Sequence, residues 1–108
     1  MSVSERLVGA VTPIVPVCVP GVYTGEEAVH CTYNLRLQAD SYGDDAPEVF
    51  TGGGMLHLFT PRTTDPRPIC RQLWQALEAA ELWPEAVEDA SDEDWNHMVI
   101  EFNALEGV

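Results

Sequence analysis

Lysine is absent from this chain, and five arginines stand against eighteen acidic residues, which gives a formal net charge of −13 at pH 7. Nucleic-acid backbones and anionic membrane surfaces are bound mainly through basic side chains. The charge balance therefore argues against general nucleic-acid binding and against attachment to a membrane surface. Because copies of so acidic a chain repel one another, any assembly must rest on specific apolar or sheet-edge contacts.

Long apolar runs are also missing. The longest, residues 13–22, is interrupted by Pro13, Pro16 and Pro20, and it falls short of the ~20 residues that a membrane helix requires. The N-terminus has too short an apolar core for a secretory signal. We therefore expect a cytosolic product in which residues 1–108 form a single domain, since roughly 100–150 residues suffice for one core.

Motifs of catalysis and cofactor binding are scarce as well. The triple glycine at 52–54 is followed neither by a Lys-Ser/Thr pair nor by a predicted helix, so it is not a phosphate-binding loop. No G-x-S-x-G motif is present. Cys18, Cys31 and Cys70 are odd in number and lack a C-x-x-C pattern, which favours buried free thiols over disulfides or a zinc site. We expect neither an enzyme nor a cofactor.

The three histidines, His30, His57 and His97, fall on three predicted strands. If those strands were adjacent and in register, the imidazoles could converge into a three-histidine site of the kind that holds catalytic zinc. The aromatic residues beside two of them, Phe59 and Trp95, favour a different interpretation, a shared semi-exposed aromatic face. We favour the second interpretation and predict no metal site.

The first third of the chain predicts a short helix, an extended edge segment and a strand. Ser2 and Glu5 have the spacing of a capping box, and Pro13 ends the helix just before it. The prolines that follow are compatible only with an extended or edge segment. Over residues 28–37 apolar and polar residues alternate, which predicts a strand with one buried and one wet face. The apolar side carries Val29, Cys31, Tyr33, Leu35 and Leu37.

The middle of the chain predicts a loop, a second strand and the main helix. Residues 40–47 concentrate turn formers and charge, which indicates a hairpin connection or mobile loop. A strand over 48–60 follows, and its triple glycine marks a bulge, a bend or a close backbone approach. Asp65-Pro66 predicts the start of a helix with apolar residues at helical spacing, ending at 81–83 ahead of the next proline.

The last part predicts an acidic connection over 85–94, a strand over 95–104 and a frayed tail over 105–108. The acidic segment lacks the glycine and the final glutamate of an EF-hand loop, so we do not expect calcium binding. The order is helix, edge segment, strand, strand, helix, strand. This order predicts an α+β fold, a single mixed, mainly antiparallel β-sheet covered on one face by two α-helices.

The scarce cations Arg36, Arg62, Arg67 and Arg71 are candidates for ion pairs between subunits, with weak intramolecular surface pairs as the alternative. Arg67 and Arg71 fall in the first turn of the predicted helix, where positive charge is unfavourable against the helix dipole. Their placement favours a carboxylate close by.

This order of features resembles the tail terminator proteins, also called tail completion or minor tail proteins, of siphovirus-type bacteriophages. The resemblance covers most of the chain and rests on a series of segments. They are the N-terminal helix, the extended segment 16–23, the strand His30-Cys31-Thr32-Tyr33-Asn34, the turn Ala39-Asp40, the strand Met55-Leu56-His57-Leu58-Phe59-Thr60, the helix from Asp65-Pro66 with Leu73 and Leu77, and the strand His97-Met98-Val99-Ile100-Glu101-Phe102. The triple glycine and the short proline-rich start depart from the family's pattern.

The resemblance implies a non-catalytic virion protein, made in the host cytoplasm, that needs no cofactor. In that family a homohexameric ring at the head-proximal end of the tail caps the tail-tube protein and meets a head-completion or connector protein. DNA passes through the ring without specific binding, and no membrane is involved. Negative charge on the lumen would keep the genome from sticking as it passes. By predicted exposure, our candidates for the subunit interface are Asp40, Tyr42, Asp44, Phe50, Gly53 and Arg62.

Two other classes of protein fit part of the sequence. A small acidic phage inhibitor that mimics nucleic acid would share the charge, but it needs carboxylates along one continuous surface, and here they cluster mainly in predicted loops. An enzyme or metal-binding domain would rest only on the three histidines.

Overall fold

The computed structural model describes the backbone of residues 2–42 and 47–107, and the side chains of these residues except 37–51 and 105–107. A five-stranded mixed sheet with two helices forms an α+β fold, as predicted. The elements are α1 (Val3–Val11), β1 (Cys18–Pro20), β2 (His30–Tyr42), β3 (Pro47–Pro61), α2 (Arg67–Ala79), β4 (Trp83–Asp89) and β5 (Trp95–Gly107). The strand order is β1-β2-β3-β5-β4. Only the β1–β2 pair is parallel among these.

The N-terminal helix α1 begins at the predicted capping box. The Ser2 side chain accepts a hydrogen bond from the Glu5 backbone N–H, and the Glu5 carboxylate accepts one from the Ser2 backbone. Val3, Leu7 and Val11 are buried against the sheet. The helix ends at Val11, just before Pro13, as predicted.

The second helix, α2, begins one residue later than predicted. The N-cap position is Pro66, and the Asp65 carboxylate accepts a hydrogen bond from the Arg67 backbone N–H at 3.0 Å. The helix ends at Ala79, earlier than the expected 81–83, because Glu81 adopts a left-handed conformation with φ 59° and the Leu82 N–H closes back on the Leu77 carbonyl at 2.9 Å. This is a Schellman-type end that stops the helix before the next proline acts.

Both helices cover the same face of the sheet, which we call the covered face. Its strand residues are Cys31, Tyr33, Leu56, Leu58, Ile100 and Phe102, and they form one buried cluster with Leu7, Leu73 and Leu77 of the helices. The Tyr33 Oη lies 2.8 Å from the Ser4 Oγ, which ties α1 to β2. The expected burial of three residues in this pattern was wrong. Leu35, expected on the buried side, is 41% exposed, whereas His30 and Thr32, expected in water, are buried.

The loop predicted over 40–47 is wrong at both ends. Strand β2 continues to Tyr42 and β3 begins at Pro47, and the remainder of the predicted loop, residues 43–46, lies outside the described residues. Turn-forming residues can occupy strands when a partner strand satisfies their backbone, and here β3 does so. The tail predicted to fray also pairs with β3, as far as Gly107 opposite Val49.

The triple glycine is a site of close backbone approach. A Cβ on Gly53 would collide with the Phe102 carbonyl oxygen, and one on Gly54 with the Asn34 carbonyl oxygen. The bulge considered for this position lies elsewhere, because the β2–β3 register shifts around Ser41 and runs unbroken through the glycines. Three strand backbones therefore meet here without side chains between them.

The acidic connection predicted over 85–94 is wrong in its first half, since β4 occupies residues 83–89 and pairs with β5. Its residues are nearly all exposed. Charged residues and a proline are typical of edge strands, which need only one hydrogen-bonded side. The exposed acidic residues and the proline that indicated a loop are thus equally typical of an edge strand.

The molecule measures 54 × 24 × 24 Å, and its long dimension follows from the 13 to 15 residues of β2, β3 and β5. Within the described chain, neither helix has the length and apolar character needed to cross a membrane.

Candidate functional site

The face of the sheet opposite the helices, which we call the open face, carries a concentration of aromatic and imidazole rings. Residues that alternate with the covered face point here along β2, β3 and β5. They are His30, Thr32, Asn34, Met55, His57, Phe59, Trp95, His97 and Val99. The semi-exposed aromatic face predicted from the neighbours of the histidines is therefore present.

A stack of three rings crosses the sheet. His30, Phe59 and His97 are directly opposite one another on β2, β3 and β5. The Phe59 ring lies 5.0 Å from the His30 ring and 4.2 Å from the His97 ring, with interplanar angles of 17° and 18°. Because neighbouring strands are ~4.8 Å apart, residues in register bring flat rings to stacking distance. The register thus places Phe59 between two imidazoles.

The other close contact is a hydrogen bond between two histidines. The Nδ1 of His57 lies 2.8 Å from the Nε2 of His97, and the Nε2 of His57 lies 2.9 Å from the Oδ1 of Asn34. The amide oxygen can only accept, so His57 donates from Nε2 and accepts at Nδ1 from His97 when both rings are neutral.

Both rings of this pair favour the neutral form. Burial, with the neighbouring imidazole of His97 adding to it, lowers the pKa of His57. Burial also lowers the pKa of His97, although the carboxylates of Asp92 and Asp89 oppose the shift.

The three histidines share one face but do not form one site. His57 and His97 meet, while the Phe59 ring separates His30 from His97. Among the residues with described positions, no group of three or more histidine, cysteine or acidic side chains is placed to hold a metal ion.

Beside the ring stack the open face is indented by a cleft of about 420 Å³, which we call the aromatic cleft. Its lining combines rings with two glutamates of the segment between β1 and β2. The residues are Gly21, Val22, Tyr23, Gly25, Glu26, Glu27, His30, Thr32, Phe59 and Trp95. The Trp95 ring meets the His30 ring edge to face, with their centroids 5.5 Å apart.

The segment that forms one wall of the cleft is folded around Tyr23. The Tyr23 Oη accepts a hydrogen bond from the Glu27 backbone N–H at 3.0 Å. The Glu27 carbonyl in turn lies 3.0 Å from the Nδ1 of His30. A Cβ on Gly25 would collide with the Tyr23 ring, so the chain passes this close only because residue 25 is glycine. These contacts bury His30 and Thr32 on a face that sequence reasoning expected to be wet.

The carboxylates of the β4–β5 turn hold its backbone. Asp89 accepts from the Ser91 N–H at 2.9 Å, and Asp92 accepts from the Asp94 and Trp95 N–H groups at 2.8 and 2.9 Å. These hydrogen bonds lower the pKa of both aspartates. The turn positions Trp95 at the start of β5, next to the cleft.

The arginines are distributed over both faces. Arg67 pairs with Asp65 of its own chain at 2.9 Å, so the carboxylate expected near the helix start is intramolecular. Both side chains are largely exposed, and such a pair contributes little to stability. Arg62, one of the predicted interface residues, donates from Nη1 to the Asn96 Oδ1 at 2.8 Å.

Of the other predicted interface residues, most lie where the structure describes the backbone alone. Gly53 lies in the centre of β3 against the Phe102 carbonyl. Asp40 and Tyr42 belong to the distal part of β2 and Phe50 to that of β3, where the backbone alone is described. Asp44 lies outside the described residues.

All three cysteines are buried and free, as predicted. Burial raises the pKa of Cys18 to about 11, and it also raises the pKa of Cys31 and of Cys70. A thiol that stays protonated is a poor nucleophile and a poor metal ligand. These residues therefore serve packing.

No model of a known protein family matches the chain, and a search of curated proteins finds no significant match.

Sequence reasoning identified the histidines but missed what surrounds them. The hydrogen bonds that join Tyr23, Glu27 and His30 are local, but the cleft also needs Phe59 and Trp95 from other strands, and no local pattern carries that information. Trp95 was recognised only as a neighbour of His97. The alternation of 95–104 already placed both residues on one face, so that signal was available.

Proposed function

We propose that this chain is a structural virion protein of a siphovirus-type tail, a tail terminator that forms a hexameric ring capping the tail tube and joining it to the head connector. The observation that supports this proposal best concerns the two edges of the sheet, which we call its margins. Within the described chain, each margin carries backbone N–H and C=O groups without a neighbouring strand. Such margins present rows of backbone donors and acceptors that can pair with another chain.

The first margin is the outer edge of β2. Strand β2 has thirteen residues, but β1 pairs with only three of them, residues 31–33. From Asn34 to Tyr42 the inner side of β2 pairs with β3, and within the described chain no strand lies on its outer side. Its first three residues are Asn34, Leu35 and Arg36, and their side chains are exposed.

The second margin is β4, the last strand on the opposite side of the sheet. It exposes Trp83 by 52% and Val87 by 45%, beside the carboxylates of Glu85, Glu88 and Asp89. Apolar residues on an edge favour association, whereas the charges restrict it to a complementary partner.

The two margins complement each other in charge. If the β2 margin of one copy pairs with the β4 margin of the next, Arg36 approaches an acidic strand. The contact is heterologous, because the two surfaces differ, and heterologous contacts close into rings when the rotation between copies permits. The hexamer, the tube and the connector come from the resemblance to tail terminators. The charge of −13 suits a DNA conduit whose wall repels the genome.

The direct test is the mass of the purified chain by light scattering, with negative-stain images of the particles. We expect rings of six subunits, and a monomer that persists at high concentration contradicts the proposal. Val87→Lys on β4 should abolish the rings while circular dichroism shows an unchanged fold. Glu78→Lys, at an exposed position of α2 outside the two margin strands, is the control and should leave the rings intact.

A second candidate gains support from β4, the nucleic-acid mimic. The carboxylates expected in loops are partly arranged along an exposed strand and its turn, which is closer to the continuous acidic surface that a mimic needs. A monomer that binds a DNA-handling host enzyme, and loses that binding on Glu85→Gln/Glu88→Gln, would favour the mimic over the ring.

A further inference from the structure

The aromatic cleft combines two kinds of group that attract cations. Tyr23 and Trp95 contribute aromatic rings to its lining, beside Phe59, whose two faces are covered by imidazoles, and Glu26 and Glu27 contribute the acidic residues. Aromatic rings attract cations through the negative potential of their faces, and carboxylates add direct Coulomb attraction and hydrogen-bond acceptors.

The wall of the cleft is held in place before any ligand arrives. The backbone of Glu27 is held at its N–H by the Tyr23 Oη and at its carbonyl by the imidazole of His30. A glutamate on a fixed backbone loses less freedom on binding than one on a free loop, so the site is preorganised.

We propose that the aromatic cleft binds the guanidinium group of an arginine side chain presented by a partner polypeptide. The planar guanidinium can stack on an aromatic ring while it donates hydrogen bonds to a carboxylate, which an ammonium group does less well. An anionic ligand is opposed both by these glutamates and by the charge of the whole chain. The proposal goes beyond the ring and does not depend on it.

The test uses the full chain and three short probe peptides that differ at one residue. The peptides are acetyl-Gly-Arg-Gly-amide, its lysine analogue and its neutral citrulline analogue. Binding is followed by nuclear magnetic resonance through the indole N–H signals. Trp95 lines the cleft, whereas Trp74 and Trp83 lie on α2 and β4 and serve as internal references.

We expect the arginine peptide to shift the Trp95 signal with a dissociation constant in the millimolar range, the lysine peptide to bind more weakly, and the citrulline peptide to cause no saturable shift. Equal binding of arginine and citrulline peptides would show a neutral apolar site and overturn the proposal. Equal binding of arginine and lysine peptides overturns the guanidinium assignment, and so does a Trp95 signal that none of the peptides moves.

Charge variants separate the cleft from the general acidity of the chain. Glu26→Gln/Glu27→Gln should weaken binding of the arginine peptide roughly five- to tenfold. The control Glu85→Gln/Glu88→Gln removes the same charge from exposed positions on β4 and should change binding by less than about twofold at physiological salt. Equal weakening by both pairs would mean nonspecific attraction and would contradict the site. Because small peptides are bound by a single subunit, a failure here leaves the ring proposal standing, and a failure of the ring leaves this result standing.

Discussion

The two faces of the sheet are built from the same three central strands but are stabilised by different interactions. On the covered face Leu56, Leu58, Ile100 and Phe102 are fully buried under the helices. On the open face the alternating positions hold rings and polar side chains that interact with one another across the strands. The covered face is stabilised by excluding water from aliphatic groups, and the open face by specific contacts between neighbours.

This difference predicts unequal sensitivity to substitution. Leu56→Ala removes a fully buried side chain and should lower the free energy of unfolding by about 2–5 kcal/mol. Met55→Ala, one residue away on the open face and half-buried, is the matched control and should cost about 1 kcal/mol. Urea unfolding at one protein concentration measures both, and equal losses would show that the open face is as tightly packed as the covered one.

A smaller effect is expected where the strands meet without side chains. Gly54→Ala places a Cβ against the Asn34 carbonyl and should lower the free energy of unfolding by roughly 1–3 kcal/mol. Gly9→Ala, in α1 with no heavy atom within 4 Å of the added Cβ, should instead raise it by about 0.5–1 kcal/mol. Thermal unfolding of the two variants is the measurement. A Gly54→Ala protein as stable as the parent would disprove the close approach.

The smallest expected effect is a dependence of the free energy of unfolding on pH. It comes from the histidine pair and therefore from the open face alone. The pKa values of His57 and His97 are lowered in the folded chain, so the unfolded chain binds more protons below about pH 6.5. Stability should change little between about pH 7 and 8 and decrease as the pH falls from 6.5 toward the folded pKa values. The aspartates with lowered pKa act in the same direction only below about pH 4.

The variant His57→Gln/His97→Gln should show a weaker dependence on pH between 7 and 5, measured by urea unfolding at each pH. A slope equal to that of the parent chain would show that the pair does not titrate in this window.

The covered face was predictable because burial on one side imposes a period of two on the strands and of about 3.6 on the helices. Cys31, Tyr33, Leu73 and Leu77 follow those periods, and the capping box of Ser2 is a local signal. The open face was less predictable. Its ring stack depends on which residues of β2, β3 and β5 are in register, and register is set by the whole sheet.

The missed strand β4 has a different cause. Its run of exposed acidic residues has the composition of a loop, and only pairing with β5 makes it a strand. The distal end of β2 was missed for the same reason, since Asp40 and Ser41 are turn formers in isolation. Local propensity is a weak guide wherever a neighbouring strand supplies the hydrogen bonds.

The two margins, β2 and β4, are separated by three strand-to-strand steps in the sheet, and adjacent strands in a sheet rotate by roughly 20–25°, so these steps turn one margin by about 60–75° relative to the other. Subunits joined margin to margin therefore cannot extend as a flat ribbon. Each added subunit is rotated relative to the one before it. The handed twist of the sheet would therefore itself limit how many subunits fit into one assembly.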